Sequence, residues 1–389
     1  MPRYPALSSA HQGLSARVYT SLLTLAETHA EEIFTLNVGD TYRLPPAPAR
    51  IEALAGESFP GLYNYAAVQG DPELLAAITS DLAARGRDVP RELIQVTSGA
   101  TSGLDIACRT LLVPGDEVIV LAPFWPLIRG IVSATGATPV ELPFFTELRK
   151  PGFDLRAALA GALSPRTVAL YVNHPHNPSG VVLRADELEV LADFVASHGL
   201  WLLSDEAYER LHYTREAPAA LWTHPLLRER AIAAHTFSKT FGMAGARVGF
   251  VHGPERVMDA IAGLQTFATY CAPRLSQKLI ARALGSDEAA SWLDHSRLLY
   301  AEAAALTAAT LAIPTPESGT FVIFDTRPFL RRGESAAELL ARCAKGGVVL
   351  TPGSATGAAY ADYARLCFTA IAPERLTRAL TILKRELTP

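Results

Sequence analysis

Short apolar runs recur along this chain, and stretches with helical spacing separate most of them. The runs cover residues 94–96, 117–121, 168–172, 200–203, 232–234 and 248–251. Strands buried on both faces read as continuous apolar runs, so the alternation predicts a mostly parallel sheet with helices on both sides. The stretch 71–85 places Leu74, Leu75, Ile78 and Leu82 on one helical stripe. The last third reads differently. An alanine-rich helix is expected over 286–312, then a strand at 320–324 and a helix after Ser335. Runs at 348–350 and 364–368 and a final helix from Pro373 follow. The expected architecture is therefore α/β: a large domain over 36–285 built on a mostly parallel sheet, and a smaller α+β domain over 286–389. Residues 1–35 read as an N-terminal arm and a helix, about 15–34, that packs with the small domain. The proline-rich stretch 41–50 must be a loop.

Bulk properties exclude several function classes. A chain of 389 residues buries a core large enough to fold without disulfide or metal staples. The net charge of −4 leaves no polyanion footprint, and no basic run or arginine stripe points to nucleic acid. Cys108, Cys271, Cys343 and Cys367 have no C-x-x-C spacing, which argues against a disulfide framework or a cysteine metal site and fits a reducing cytoplasmic setting. The histidines form no metal-ligating pattern. No apolar run reaches the ~18 residues of a membrane span, and residues 1–14 lack the layout of a signal peptide.

In open α/β sheets the ligand lies beyond the carboxyl ends of the strands. The segments that follow the apolar runs are therefore the places to look for chemistry. Ser98, Gly99 and Ala100 follow the first run and open a helical stretch, where backbone N–H groups and the helix dipole favour an anion. A tight turn with a hydroxyl cap would read the same way. Asn177 sits in the irregular loop His174-Pro175-His176-Asn177-Pro178-Ser179-Gly180 and either offers its amide to a ligand or bonds its own turn. Asp205 ends a buried run, where an acid needs a partner. That partner is a protonated ring nitrogen, a helix terminus or a structural cation. Lys239 lies among small and apolar residues that can lower its pKa and let its amine form an imine. A surface lysine in a flexible loop is the plain alternative. Arg247, further along the same loop, can clamp a phosphate. An anion cradle, an amide, an acid, an amine and an arginine together make the set that pyridoxal phosphate needs.

From about Leu36 to Phe368 the sequence resembles the class I/II aminotransferases, the fold-type-I family that uses pyridoxal 5'-phosphate. The resemblance implies a role at each matching position. Gly39, in Leu36-Asn37-Val38-Gly39-Asp40, would pass beside the substrate carboxylate. Tyr65 would reach the phosphate of a partner subunit, which implies a homodimer with shared sites. Ser98, Gly99, Ala100, Thr236 and Arg247 would hold the phosphate. Trp125 would stack on the pyridine ring, and Asn177 and Tyr208 would bond its phenolic oxygen. Asp205 would pair with the ring nitrogen, Lys239 would form the Schiff base, and Arg365 would bind the substrate α-carboxylate. Two places depart from the family pattern. His174 stands where the loop usually has an asparagine, and Thr41-Tyr42-Arg43 replaces the usual proline, acid and aromatic.

The expected reaction moves an amino group from an L-amino acid to a 2-oxo acid. The alternative is another pyridoxal-phosphate reaction on the same scaffold, such as β-elimination, decarboxylation or oxidation. A ligand-sensing domain of a transcription regulator would need a DNA-binding module ahead of Leu36, and 35 residues are too few. Substrate choice is less constrained. Aspartate-type members of the resembling subgroup often carry a lysine soon after the cradle glycine, where Thr101 stands here. Phe124, Trp125, Tyr270 and Tyr19 are candidates for an apolar pocket, whereas Arg43 and Arg274 are candidates for a replacement cation. The balance favours a neutral, bulky amino acid, with glutamate tolerated as donor.

Overall fold

The computed structural model describes residues 21–55 and 61–388. The chain begins with α1 (Ser21–His29) and β1 (Phe34–Thr35), and α2 (Pro72–Ala84) leads into the main sheet. The sheet and its crossovers follow: β2 (Ile94–Thr97), α3 (Gly99–Leu111), β3 (Glu117–Ala122), α4 (Leu127–Ala134), β4 (Thr138–Pro143), α5 (Leu155–Ala162), β5 (Thr167–Asn173), α6 (Ala185–Ser197), β6 (Trp201–Asp205), β7 (Ala231–Thr236), the single turn α7 (Phe237–Thr240) and β8 (Gly249–His252). After α8 (Glu255–Ala268), α9 (Arg274–Ala283) and the long α10 (Asp287–Leu311) come β9 (Phe321–Asp325), α11 (Ala336–Lys345), β10 (Val348–Val349), β11 (Thr351–Pro352), β12 (Tyr363–Cys367) and α12 (Pro373–Glu386).

Seven strands form the main sheet in the order β2-β8-β7-β6-β5-β3-β4. All are parallel except β8, which runs against both its neighbours. Alternation along each strand gives the sheet two buried faces. Val118, Val120, Tyr171, Leu203 and Ile232 pack with Leu104 and Ala107 of α3 on one side. Ile119, Leu121, Leu170, Val172 and Leu202 pack with Leu188 and Leu191 of α6 on the other.

Strand β4 has no counterpart among the apolar runs of the sequence, for a physical reason. Pro139, Glu141 and Pro143 interrupt its apolar run, and its residues are exposed or only partly buried. It lies at the sheet edge, where a strand tolerates proline. The run read as 348–350 holds β10, and a second short strand, β11, follows it from Thr351. β10 pairs with β1, while β11 pairs with β12 in a separate antiparallel sheet completed by β9. The helix expected over 15–34 is described only from Ser21 and stops at His29, because Phe34 is committed to β1.

Local signals place the helix ends. Asp71 caps α2 by accepting from the Glu73 N–H at 3.1 Å, with Pro72 at the first helical position. Ser335 and Glu338 cap α11 reciprocally. Among the described residues no helix is long and apolar enough to cross a membrane.

Gly249 ties the sheet to the segment in front of it. It pairs with Thr97 on one side and Thr236 on the other. A Cβ there would lie 2.3 Å from the His235 carbonyl oxygen and 2.8 Å from the Ala100 nitrogen. Both are backbone atoms and cannot swing aside. Gly249→Ala is expected to lower stability by about 1–3 kcal/mol, read as a lower denaturant midpoint of the cofactor-free protein. An unchanged midpoint would mean that the two backbones are not locked at this distance.

Candidate active site

The parallel strands β5, β6 and β7 end side by side, with Asn173 in register with Asp205 and Asp205 in register with Ala234. Asp205 is 4% exposed. The Tyr171 hydroxyl donates to its Oδ2 at 2.7 Å, and the Ala207 N–H donates to its Oδ1 at 3.1 Å. A carboxylate oxygen accepts more than one hydrogen bond, so both oxygens keep capacity for a ligand in the cavity they line. Burial pushes this carboxyl up to about 6, against the pull of Tyr171, the Ala207 N–H and Lys239. The Asp205 backbone is also fixed: its carbonyl accepts from the Asn173 side chain at 2.9 Å and from the His174 N–H at 3.1 Å.

Lys239 lines the same cavity from α7. Its Nζ donates to the Gly39 carbonyl. Burial lowers its proton affinity from the ordinary lysine value. An amine in that state is easier to deprotonate, which an imine-forming or proton-moving lysine needs. Gly39 has no room for a side chain, since a Cβ would sit 2.5 Å from the Phe321 ring.

An anion cradle opens at one end of the cavity. Ser98 is the N-cap of α3, yet its hydroxyl makes no capping bond, so it remains available. Gly99 takes φ +80°, and a Cβ on it would lie 2.7 Å from the Arg247 Nη2. Glycine is therefore required for the arginine to approach. Arg247, itself left-handed at φ 51°, donates to the Ser98 carbonyl at 3.2 Å and to the Ala244 carbonyl at 3.0 Å. Thr236 caps α7 by accepting from the Ser238 N–H at 3.2 Å, and the two hydroxyls lie 2.9 Å apart. The start of α3, two hydroxyls and a guanidinium form a donor set suited to a phosphate.

Asn177 donates from Nδ2 to the Tyr208 hydroxyl at 3.3 Å, and its backbone N–H donates to the Asn173 Oδ1 at 2.7 Å. The side-chain amide is thus held by Tyr208 and Arg365 rather than bonded to its own turn, and Asn173 fixes the backbone behind it. His174 has a structural task, accepting from the Leu183 N–H at 2.9 Å. Trp125 lines the cavity and is partly buried.

Arg365 reaches the site from β12. It is 2% exposed, lies 4.1 Å under the Phe321 ring, and donates to the Asn177 Oδ1 at 3.3 Å and the Asn37 carbonyl at 3.1 Å. Its Nε has no partner, and among the described residues no carboxylate pairs with it. A buried guanidinium with only neutral partners is costly unless a ligand supplies the anion.

Other expected residues fall outside the cavity. Tyr65 is 80% exposed and packs edge-on against Tyr270 at 5.0 Å, on a surface hollow that also includes Ser98. Arg43 donates to Ser296 and to the Trp292 carbonyl and stacks on the Trp292 ring. Arg274 bonds the Gly61 carbonyl and pairs with Asp71. Phe124 is buried in the α3-side core and does not line the cavity. Tyr19 lies outside the described residues.

The sequence reading passed over Tyr171, Asn173 and Ser238. Tyr171 hides in an apolar run, and only the rule that a buried phenol seeks a partner could have flagged it. It also passed over a buried network behind the site. Glu209, next to Tyr208, accepts from Arg85 at 2.7 Å, from Arg87, and from His235 at 2.9 Å. Burial opposes its charge, but His235 and the arginines hold its carboxyl well below the usual range.

These residues fit pyridoxal phosphate on their own chemistry: a glycine-floored anion cradle, a buried acid, an amine of lowered proton affinity and a buried guanidinium without a counter-ion. The comparisons agree. The family model "Aminotransferase class I and II" matches residues 31–383. The arginine–pyruvate transaminase of Pseudomonas aeruginosa is 33% identical over 86% of this chain and 85% of its own. A probable aspartate/prephenate aminotransferase of Thermus aquaticus is 34% identical over 82% of each chain. A Thermus thermophilus aspartate aminotransferase structure, a single mutant, superposes with a TM-score of 0.87 at 28% identity, covering 98% of this chain and 100% of that one. The chain therefore belongs to the class I and II aminotransferases, fold-type-I enzymes that transfer amino groups with pyridoxal phosphate.

Proposed function

We propose that this aminotransferase works at the cavity between the ends of β6 and β7, the start of α3 and α7, with Lys239 carrying the cofactor and Arg365, bonded to the cavity-lining Asn177, binding the substrate α-carboxylate. The observation that carries the reading is the buried Arg365 guanidinium, which has no carboxylate partner among the described residues and bonds Asn177, a residue lining the cavity with Lys239. Bound there, pyridoxal phosphate supplies an aldehyde for imine exchange and a ring that accepts electrons when the substrate Cα–H bond breaks. The protein supplies the rest. Ser98, Gly99, Ala100, Thr236 and Arg247 bind the phosphate, Trp125 covers the ring, and Asn177 and Tyr208 hold the phenolic oxygen. Asp205 keeps a proton on the ring nitrogen. The Lys239 Nζ would carry the aldehyde and, as a free amine, would take the α-proton as general base. Arg365 orients the Cα–H bond by gripping the carboxylate in a bidentate fork.

For the side chain we propose a neutral, bulky amino acid as one substrate, with glutamate tolerated as donor. Arg43 and Arg274 are committed to their own partners, and at position 101 a threonine rather than a lysine lines the cavity. A second carboxylate would be buried there at a cost. The division into a large domain over 36–285 and a small one over 286–389, with α1 and β1 packed on the latter, is part of the same proposal. Its support is the pairing of β1 with β10 and the packing of α1 residues on Ala344 and Val349.

A homodimer with shared sites fits the surface beside the phosphate cradle. Tyr63 and Tyr65 are 98% and 80% exposed and stand at the same hollow as Ser98. Exposed apolar residues grouped this way mark contact surfaces. Cytoplasmic location fits the four free cysteines, and recovery from an oxidising compartment would contradict it.

One experiment tests both reaction and substrate. Phenylalanine, methionine, leucine and aspartate are each added to the loaded enzyme while cofactor absorbance is followed. The expected result is a stable amine form of the cofactor that 2-oxoglutarate reverses, with the neutral amino acids ahead of aspartate. Loss of the α-amino group as ammonia instead would indicate elimination or oxidation. A clear preference for aspartate, lost in Arg43→Ala, would overturn the substrate proposal. For assembly, light scattering of the active enzyme is expected to give twice the chain mass, and a fully active monomer would refute the shared site.

A further inference from the structure

We propose that Tyr171 is a positioning residue for transamination: its hydroxyl, behind Asp205, keeps that carboxylate ionised and turned toward the cavity. The inference rests on the reading of Asp205 as partner of the ring nitrogen. Tyr171 is 1% exposed and sits on β5 two residues before Asn173, which is in register with Asp205 on β6. That diagonal placement lets a long side chain reach across to the next strand. Its hydroxyl donates to the Asp205 Oδ2 at 2.7 Å, while the Ala207 N–H holds Oδ1. The two bonds fix the plane of the carboxylate and leave its remaining lone pairs facing the cavity.

The groups around the pair make Tyr171 the neutral donor. Lys239 approaches from α7 and favours the ionised acid. Tyr208, from Asp205's own segment, is pushed above the usual tyrosine value, so it stays protonated. Glu206 is raised to about 8 by burial and is bonded by the Ser204 hydroxyl. Cys108 of α3, beside Tyr171, is pushed up to about 12. Tyr171 itself is raised well above its ordinary value, by burial first and Asp205 second, so its proton stays on the phenol. A donor that does not give up its proton stabilises the charged form of its acceptor. Without it, Asp205 would compete for the proton that the ring nitrogen needs in order to draw electrons from the substrate.

The test is Tyr171→Phe, which removes one oxygen. In the cofactor-free protein, carboxyl-labelled aspartate is followed by NMR against pH, with Asp205→Asn assigning the signal. The Asp205 midpoint is expected to rise by about 1–2 pH units, the shift equivalent to one hydrogen bond to a charged group. In the loaded enzyme kcat is expected to fall by roughly tenfold or more, with KM for the amino acid little changed and the acid limb of the pH profile moved upward. Tyr171→Met, which also lacks the hydroxyl, is expected to repeat the midpoint shift if the phenylalanine variant folds poorly. An Asp205 midpoint that stays in place or falls overturns the proposal, whatever happens to kcat. Failure of the wild-type protein to load pyridoxal phosphate would instead refute the site reading, and the cofactor-free titration would still report on Tyr171 and Asp205.

Discussion

Asp205 places a carboxylate where little water reaches, at the carboxyl end of a strand with neighbours on both sides. Such a group is expensive unless something accepts its charge. The surrounding sheet answers in two directions. Tyr171 and the Ala207 N–H hold it from the protein side, and the cavity is left for a cation on the other. Lys239, which lines the same cavity, is the opposite case, an amine whose burial makes the proton easier to lose. An acid kept charged and an amine made easier to deprotonate are what a pyridine ring and an aldehyde require of their host.

The second constraint is how a guanidinium from the C-terminal sheet comes to face them. Arg365 lies on β12, in register with Thr351 and Ile323, and its hydroxyl and carbonyl contacts come from Thr351 and Asn37. Asn37 follows β1, which pairs with β10 just ahead of Thr351. The N-terminal segment thus holds Arg365 and also carries Gly39 to Lys239. Phe321 covers both, lying over the guanidinium and filling the space above Gly39. The pairing of β1 with β10 therefore sets the position of Arg365 relative to Lys239.

Much of this was legible in the sequence because strand-end loops announce themselves. Asp205, Asn177 and Lys239 each interrupt an apolar pattern with a polar group that needs a reason, and the structure brings all three to one cavity. Edge strand β4 was not legible, because its prolines and its glutamate break the run that marks buried strands. Tyr171 was not legible for the opposite cause: it continues an apolar run, and its polar tip matters only once β5 lies beside β6. Arg43 and Arg274 looked like free cations. Their partners Ser296 and Asp71 lie 253 and 203 positions away in the chain, and no local pattern links them. Residues that act through local geometry show in the sequence, and residues that act through long-range pairing show only in the fold.

The most direct test of the account is the identity of the lysine that holds the cofactor. The loaded enzyme is reduced with borohydride, digested and analysed by mass spectrometry. The account predicts a single pyridoxyl adduct, on Lys239, and no internal imine absorbance in Lys239→Ala. An adduct on any other lysine would contradict the assignment of the site.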